Sequence, residues 1–574
     1  MKAFADLYRR LDRATATRAK QAAMVGAFAA AKADPAQWAS AAWMVYFLSG
    51  GKPRQTVPTR LLRRLAVEGS GLPEWLVDEC YASVGDLAET LALLLPEGAG
   101  DDHASLDHWM RERLLPLPKL DEEERYARLS LWVAALPESR RLVFFKLITG
   151  ALRVGVSRLQ VVKALTEVAG VDESRMAQRM IGYAQARRMP TADDFAALVA
   201  DVEASEGAAL DAGRAYPFYL AQSWQRPLGE MQQALGPPQD WIVEWKFDGI
   251  RAQLIRRGAN WRLWSRGEEL ISDAYPDLEP LARALPAGVA LDGELVVMIP
   301  PAGETRPDSL DGLAPFASLQ QRLGRKAISE KTLRALPVAL IAYDLLELGG
   351  QDLRGEPQRE RRAKLESLVR ETLDRGGRLP LRLSPVVSAE TWEGLAEIRE
   401  QARALGREGL MLKAREGAYG VGRRKGDDRT GVWWKWKLDP MSVDAVLIYA
   451  QRGHGRRSGV YSDYTFAVWS AGADAPQRAL VPFAKAYSGL SDAEMREMDA
   501  IIRRTTVEAF GPVRSVTPTQ VFELGFEGIA ASKRHKSGIA VRFPRMLRWR
   551  RDKPVAEADT LDALRALLPP GGEE

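Results

Sequence analysis

The chain is 574 residues long, which at roughly 150 residues per domain sets an expectation of about three or four domains. Hydrophobic residues at 46% and charged residues at 27% exclude a disordered or fibrous chain, and no uninterrupted apolar run of about 18 residues is present to span a bilayer. A single cysteine, Cys80, excludes a disulfide framework and any zinc module built on two or more cysteines, and four histidines leave little for His-rich metal sites. Chemistry must rest on carboxylates, lysines, arginines and hydroxyls. The net charge of +5 is small for this size, but the positive residues cluster. Nine Lys/Arg stand against one acid, Asp552, between Lys533 and Lys553, and six stand against Asp427 and Asp428 between Val421 and Lys437. Local basic surface of this kind attracts phosphates.

In chain order, the segment MKAFADLYRRLDRATATRAK is Arg- and Ala-rich like a transit peptide, but it carries Asp6 and Asp12 and runs into further helical pattern. It reads as the first helix of a folded domain. Residues 1–205 are expected to be helical throughout, from segments such as LAETLALLL and RLVFFKLITGALRV. The small, polar, glycine-containing stretch that follows is expected to be a linker, residues 206–216. After Trp241 short Val-, Ile-, Trp- and Tyr-rich runs alternate with turn signals, interrupted by helical stretches near 357–374 and 390–405. This predicts an α+β domain over 217–438. From 439 to 560 the pattern is mostly β with one helix around 491–504, a size and texture that suit a small closed barrel such as an OB-fold. Residues 561–574 read as a loose tail.

The most informative segment is Glu244-Trp-Lys246-Phe-Asp248-Gly249-Ile-Arg251. On a strand Glu244, Lys246 and Asp248 share a face. A lysine between two carboxylates in an apolar strand is a nucleophile candidate, since desolvation and nearby cations expose its amine; an edge-strand ion-pair ladder would look the same. K-x-D-G-x-R resembles the nucleophile motif of the covalent nucleotidyltransferases, the polynucleotide ligases and mRNA capping enzymes. The other motifs of that family follow in order. Ser265-Arg266-Gly267 is similar to the second, with glycine where most relatives have asparagine. Leu291-Asp292-Gly293-Glu294, Ala342-Tyr343-Asp344 and Glu408-Gly409-Leu-Met-Leu-Lys413 resemble the next three. Trp434-Lys435-Trp436-Lys437, with Arg429 upstream, and the run from Arg542 to Lys553 resemble the last two, the final one in its long DNA-ligase form.

The resemblance implies roles that the residue chemistry supports. Triphosphate attack by an amine needs cations on the phosphates and a metal to neutralise developing charge. Glu294 and Glu408 are the candidate Mg2+ ligands, directly or through water. Glu244, Arg251, Arg266, Glu294, Tyr343, Arg429, Lys435 and Lys437 are the candidate ATP-binding residues. Tyr343 offers a flat surface for adenine, Glu244 faces adenine or ribose, and Arg251 faces the nucleotide or a nick phosphate. Lys435 and Lys437 share one strand face and Trp434 and Trp436 the other, so one side holds phosphates while the other packs. Arg548, Arg550, Asp552 and Lys553 are candidates for a closing role over the site, orienting the pyrophosphate leaving group, whereas Arg542 and Arg545 are equally well structural. Taken singly, Glu294 is also a plausible surface acid, Tyr343 a core aromatic and the two lysines the exposed side of an amphipathic strand; six patterns in one order favour the family. No G-x-x-x-x-G-K-[ST] is present as a competing nucleotide site.

The helical region, with KLITGALRVGVS at 146–157, resembles the amino-terminal DNA-binding domain of three-domain ATP-dependent DNA ligases. There Arg153 beside Gly155 reads either as a phosphate approach or as an ordinary helix cap. NAD-dependent ligases carry a four-cysteine zinc element that one cysteine cannot build. A capping enzyme or RNA ligase gives no reason for a 200-residue helical clamp, and a non-catalytic DNA-binding scaffold gives none for Lys246, Glu294 and Glu408 together. The resemblance therefore implies a bacterial ATP-dependent DNA ligase, cytoplasmic and nucleoid-associated, using ATP and Mg2+. It implies a monomer encircling nicked double-stranded DNA, with contacts mostly to the backbone and hence little sequence preference.

Overall fold

Apolar spacing builds the helices of the amino-terminal region. Helix Lys2–Arg13 buries Phe4, Leu7, Tyr8 and Leu11 along one stripe, and Trp38–Leu48, apolar on every side, is buried from Ala41 to Leu48. Helix Leu87–Leu94 starts on Asp86, whose carboxylate accepts from the Glu89 N–H and pairs with the buried Lys146 at 2.5 Å. The computed structural model describes residues 1–568 apart from 54, 97, 99, 101–102, 151, 153, 185–188, 201–212, 300–308, 324–327, 423–432, 454–458, 476, 512 and the side chains of 138 and 174. Arg153 and Arg429 thus lie outside the described residues. Among the described residues no strand precedes residue 222, and no helix is long and apolar enough to cross a membrane.

The chain forms two compact units: Met1–Arg54, His103–Arg113 and Leu152–Leu438 make one, and Gln55–Asp102, Leu114–Ala151 and Asp439–Glu574 the other. The helical region divides between them. In the first unit the described end of the expected linker is not free. Ala215 and Tyr216 are buried, the Tyr216 hydroxyl donates to Glu347 at 2.9 Å, and its N–H donates to Gln253 at 2.8 Å. The aromatic ring in an otherwise small-residue stretch is what docks it.

The central strands are β1 (Gln222–Ser223), β2 (Trp241–Trp245), β3 (Ile250–Arg257), β4 (Asn260–Ser265), β5 (Val289–Val297), β6 (Val338–Leu348), β7 (Gln351–Asp352), β8 (Leu381–Leu383), β9 (Val386–Val387), β10 (Gly409–Ala414) and β11 (Trp433–Lys437). They form two sheets, β1-β11-β10-β2-β9 and β4-β3-β5-β6-β7, with β8 parallel on β6. Each sheet has an apolar and a polar face, as alternation dictates. In the first, Trp241, Val243, Leu410, Leu412, Trp434 and Trp436 pack against Trp392 and Leu395 of helix Trp392–Gln401. In the second, Ala252, Leu254, Leu291, Leu295 and Leu340 pack on Leu365, Leu368 and Val369 of helix Gln358–Gly376. Each such leucine contributes roughly 1.5–3 kcal/mol by leaving water. The opposite faces carry the charged residues.

Helix Gln358–Gly376 places Arg361 and Arg362 on its buried stripe. Arg361 and Asp344 are both fully buried and joined by two bonds of 2.9 Å. Truncating one partner leaves the other as an unpaired buried charge. Asp344→Ala is therefore expected to lower stability by about 3–5 kcal/mol, seen as a fall in the urea midpoint. A midpoint equal to wild type would show that other groups absorb the Arg361 charge.

In the second unit the long strand Met441–Arg452 pairs with Tyr461–Trp469, Val513–Val516 and Val521–Phe526 along its length. Val521–Phe526 in turn pairs with Arg545–Trp549. Helix Asp492–Thr505 opens with a Ser491–Glu494 capping box. The carboxyl-terminal region is strand-rich, with one aromatic core around Tyr464, Phe466, Phe522 and Trp549. The tail expected to be loose from 561 is in part ordered. Thr560 caps a helix Leu561–Arg565, and Leu561 and Leu564 enter that core, a short i, i+3 pair that length alone hides.

Candidate active site

The strand β2 ends at Trp245, but its pairing continues through Lys246, which donates from its backbone to Gly409 at 2.8 Å and accepts from the Glu408 N–H at 2.9 Å. Two glycines make this approach possible. A Cβ on Gly249 would lie 2.4 Å from the Leu295 carbonyl and 2.8 Å from Glu294 Cγ. Gly409 has φ +128, and its Cβ would meet the Trp436 carbonyl at 2.3 Å. The Lys246 ammonium contacts the Glu408 carboxylate, and Lys437 Nζ lies 3.8 Å from the same oxygen. Lys435 pairs with Met411, and Met411 with Glu244. Glu244, Lys246, Lys413, Lys435 and Lys437 thus share the polar face of one sheet, as the alternation of Trp434 and Trp436 predicts. Asp248 is half-buried in the turn beyond the strand.

The second sheet supplies Glu294 from β5, in register with Arg251 on β3. Burial pushes the Glu294 carboxyl up to about 7, partly offset by Lys246 and Arg251 and reinforced by Glu408 and Asp292. Tyr343 is the extra residue of a bulge: Asp292 pairs with Asp344 and Gly293 with Ala342, leaving Tyr343 between them. Its hydroxyl is 3.4 Å from Asp292 and its ring is part-exposed.

Several candidates are engaged by neighbouring protein groups. The Arg251 guanidinium turns to the buried Asp292, at 2.7 and 3.2 Å, and also donates to the Tyr219 carbonyl and the Tyr419 hydroxyl. It is anchored on the fully buried Asp292, with its guanidinium 5.8 Å from the centroid of the Tyr343 ring. Glu244 is also buried, held by Lys413 at 2.5 Å and Arg362 at 2.7 Å. Arg266 is exposed, its N–H bonded to the Arg251 carbonyl at 2.9 Å. At Gly267 a Cβ would meet only Ser265 Oγ at 3.6 Å, so sterics do not require the glycine that stands there. The next residue, Glu268, has φ +61 and is tied to Arg158.

The closing candidates belong to the second unit. Arg550 and Lys553 each pair with Asp444 at 2.7 Å, Arg550 also with Asp552 at 2.8 Å, and Arg548 lies 3.4 Å from Glu523. In the sequence Asp292 and Lys413 stand inside the quoted motifs without a role of their own, and Arg362 is not singled out. Arg362 had a signal, since it falls on the apolar stripe of its helix. Among the described residues no group of three or more His, Cys, Asp or Glu is placed to share a metal ion.

Comparison with known proteins gives the family. Family models match in chain order: DNA ligase N terminus over residues 1–166, ATP dependent DNA ligase domain over 219–437 and ATP dependent DNA ligase C terminal region over 457–553. A probable DNA ligase of Koribacter versatilis is 32% identical over 96% of this chain and 93% of its own length. One of Opitutus terrae is 35% identical over 80% of this chain and 47% of its own length. The solved structure titled Pmar-Lig_PreS3 superposes with a TM-score of 0.58 over 95% of this chain and 99% of that one, at 14% identity, a likeness of fold alone. With a relative matched along nearly the whole chain and three family regions in order, the chain belongs to the ATP-dependent DNA ligases.

Proposed function

We propose that this ligase seals nicks in duplex DNA through a lysyl-AMP formed on Lys246. The observation that carries the reading is the Lys246 amine held on Glu408 with Lys437 beside it on a polar sheet face, and Glu294 of the second sheet close enough to feel its charge. Lys246 reacts as the free amine, its proton passing by way of Glu408 to solvent, which leaves Glu408 ionised. The freed lone pair attacks the α-phosphorus of ATP, and the bond to the bridging oxygen breaks, so that pyrophosphate leaves with the electron pair. AMP then passes to the 5′-phosphate at the nick, and the 3′-hydroxyl displaces it. Lys435 and Lys437, with Arg266 and Arg429, bind the triphosphate, while Tyr343 and Glu244 receive adenine and ribose. Two carboxylates suit Mg2+, which is held by one or two of them together with substrate phosphates and water; Glu294 and Glu408 would hold it, and it would neutralise charge developing on the phosphate.

In this reading residues 1–205 grip the DNA, 206–216 link, 217–438 form the adenylation domain and 439–560 an OB-fold that closes over the site. The protein acts as a monomer around the duplex, in the nucleoid. Incubation with α-labelled ATP and Mg2+ without DNA, followed by denaturing electrophoresis, tests the covalent step; protein shown free of bound AMP that takes no label refutes it.

The closing role gives a step-specific prediction. Arg550 and Lys553 would face pyrophosphate, which exists only in the first step. Lys553→Ala should slow self-adenylylation by about 10²-fold yet seal a pre-adenylylated nick within a few-fold of wild type. Equal losses in both assays would assign Lys553 to the fold of its own domain through Asp444.

A further inference from the structure

Arg158 opens the helix Arg158–Ala169, whose start is fixed by a Ser157–Gln160 capping box. A cation in the first turn faces the positive end of the helix dipole, so helix formation gives no reason for an arginine there. Its guanidinium instead serves contacts made elsewhere in the first unit. It donates to the Met180 carbonyl at 2.7 Å and pairs with the Glu268 carboxylate. The Gly182 N–H donates to the same carboxylate. Between Met180 and Gly182, Ile181 is 1% exposed and lies in one core cluster with Ile255, Trp264 and Trp433. The helical region is thus seated at the end of β4 by an apolar plug and a charged grip.

The grip lands on a tight turn. The Glu268 N–H donates to the Ser265 carbonyl at 2.8 Å and closes the turn Ser265-Arg266-Gly267-Glu268. Arg266, Gly267 and Glu269 are exposed, whereas the Glu268 side chain is only 19% exposed. Its φ of +61 lies in the left-handed region, which a glutamate seldom adopts and which persists only where the surroundings impose it. Here Arg158 and Gly182 impose it. Burial pushes the Glu268 carboxyl up, and both partners offset that cost. Without the guanidinium the carboxylate gains by turning to water, and the backbone is released from its strained conformation. Arg266 stands two places away at the exposed tip of this turn. Its own N–H, bonded to the Arg251 carbonyl at 2.9 Å, ties one side of the turn to β3, and the grip on Glu268 ties the other.

We propose that Arg158 and Glu268 form a latch by which the helical region positions Arg266 for the triphosphate, so that part of this region serves the nucleotide step before any DNA is bound. This rests on the reading of the cleft as the ATP site, with Arg266 among its phosphate contacts.

The test uses full-length protein stripped of bound AMP with pyrophosphate, and follows label transfer from α-labelled ATP without DNA. Arg158→Leu should raise KM for ATP about tenfold with kcat within about threefold. Arg158→Lys, which keeps the charge, should lie closer to wild type. Arg266→Ala should raise the same KM, and adding Arg158→Leu to it should change KM by less than about twofold, because the latch then has nothing to position. A wild-type KM in Arg158→Leu overturns the proposal, as does a loss confined to kcat. Multiplying effects in the double variant overturn it too, since Arg158 would then act through the fold alone. Should Arg158→Leu not fold, Glu268→Gln decides, because it keeps the shape and the Gly182 bond but not the ion pair. A severalfold rise in KM there supports the latch, and an unchanged KM overturns it. Wild-type protein that takes no label, or Arg266→Ala with a wild-type KM, refutes the reading of the site and the latch with it. An effective Arg266→Ala beside an indifferent Arg158→Leu refutes the latch alone.

Discussion

Lys246→Ala is expected to take no label from α-labelled ATP and to lose sealing of an ordinary 5′-phosphate nick by at least about 10⁴-fold. The amine is the group that bonds to phosphorus, and no neighbour replaces it: Lys437 lies beyond the Glu408 carboxylate it shares with Lys246. Lys246→Arg should be equally unlabelled, because a guanidinium keeps the charge but not the nucleophile. That variant separates chemistry from electrostatics. A nick already carrying AMP on its 5′-phosphate bypasses the lysine, so both variants should still close it. Label retained in Lys246→Ala would move the nucleophile to another residue and undo the reading of the cleft.

The shared strand faces of Glu244 with Lys246, and of Lys435 with Lys437, are legible because each is fixed locally. Alternation along β11 settles that Lys435 and Lys437 oppose Trp434 and Trp436, and burial of both tryptophans confirms it. The helices near 357–374 and 390–405 follow from apolar spacing and form at Gln358–Gly376 and Trp392–Gln401. What local pattern does not carry is who stands opposite in a different sheet. Arg251 reads as a nucleotide or nick-phosphate contact from its place in the motif, but its pairing with Asp292, set by the β3–β5 register and by Tyr419 far along the chain, is not in that pattern. The pairing of Lys413 and Arg362 with Glu244 is hidden for the same reason, since Glu244 lies more than a hundred residues away from each. Arg361 and Arg362 illustrate a second limit. Hydrophobic periodicity treats a cation on the apolar stripe as noise, whereas here it marks a buried ion pair.

Glu294 supplies the second large effect, and its sign follows from burial. The carboxyl titrates near 7 in the folded chain against an ordinary 4.5, so the folded state binds the proton more tightly than the unfolded one. Its contribution to stability is full below about pH 4.5 and is lost as the pH rises through 7, a change on the order of 3 kcal/mol at most. Function runs the other way. Only the carboxylate ligates a cation, so the rate of self-adenylylation at low Mg2+ should climb with pH around a midpoint near 7. Mg2+ favours the ionised form, and raising it should move that midpoint to lower pH. Glu294→Gln, neutral at every pH, should erase the climb and slow the step by about 10²–10³-fold while gaining stability relative to wild type above pH 7. A midpoint that ignores Mg2+, or one that persists in Glu294→Gln, would assign the titration to a different group and leave Glu294 as a structural acid between Lys246 and Arg251.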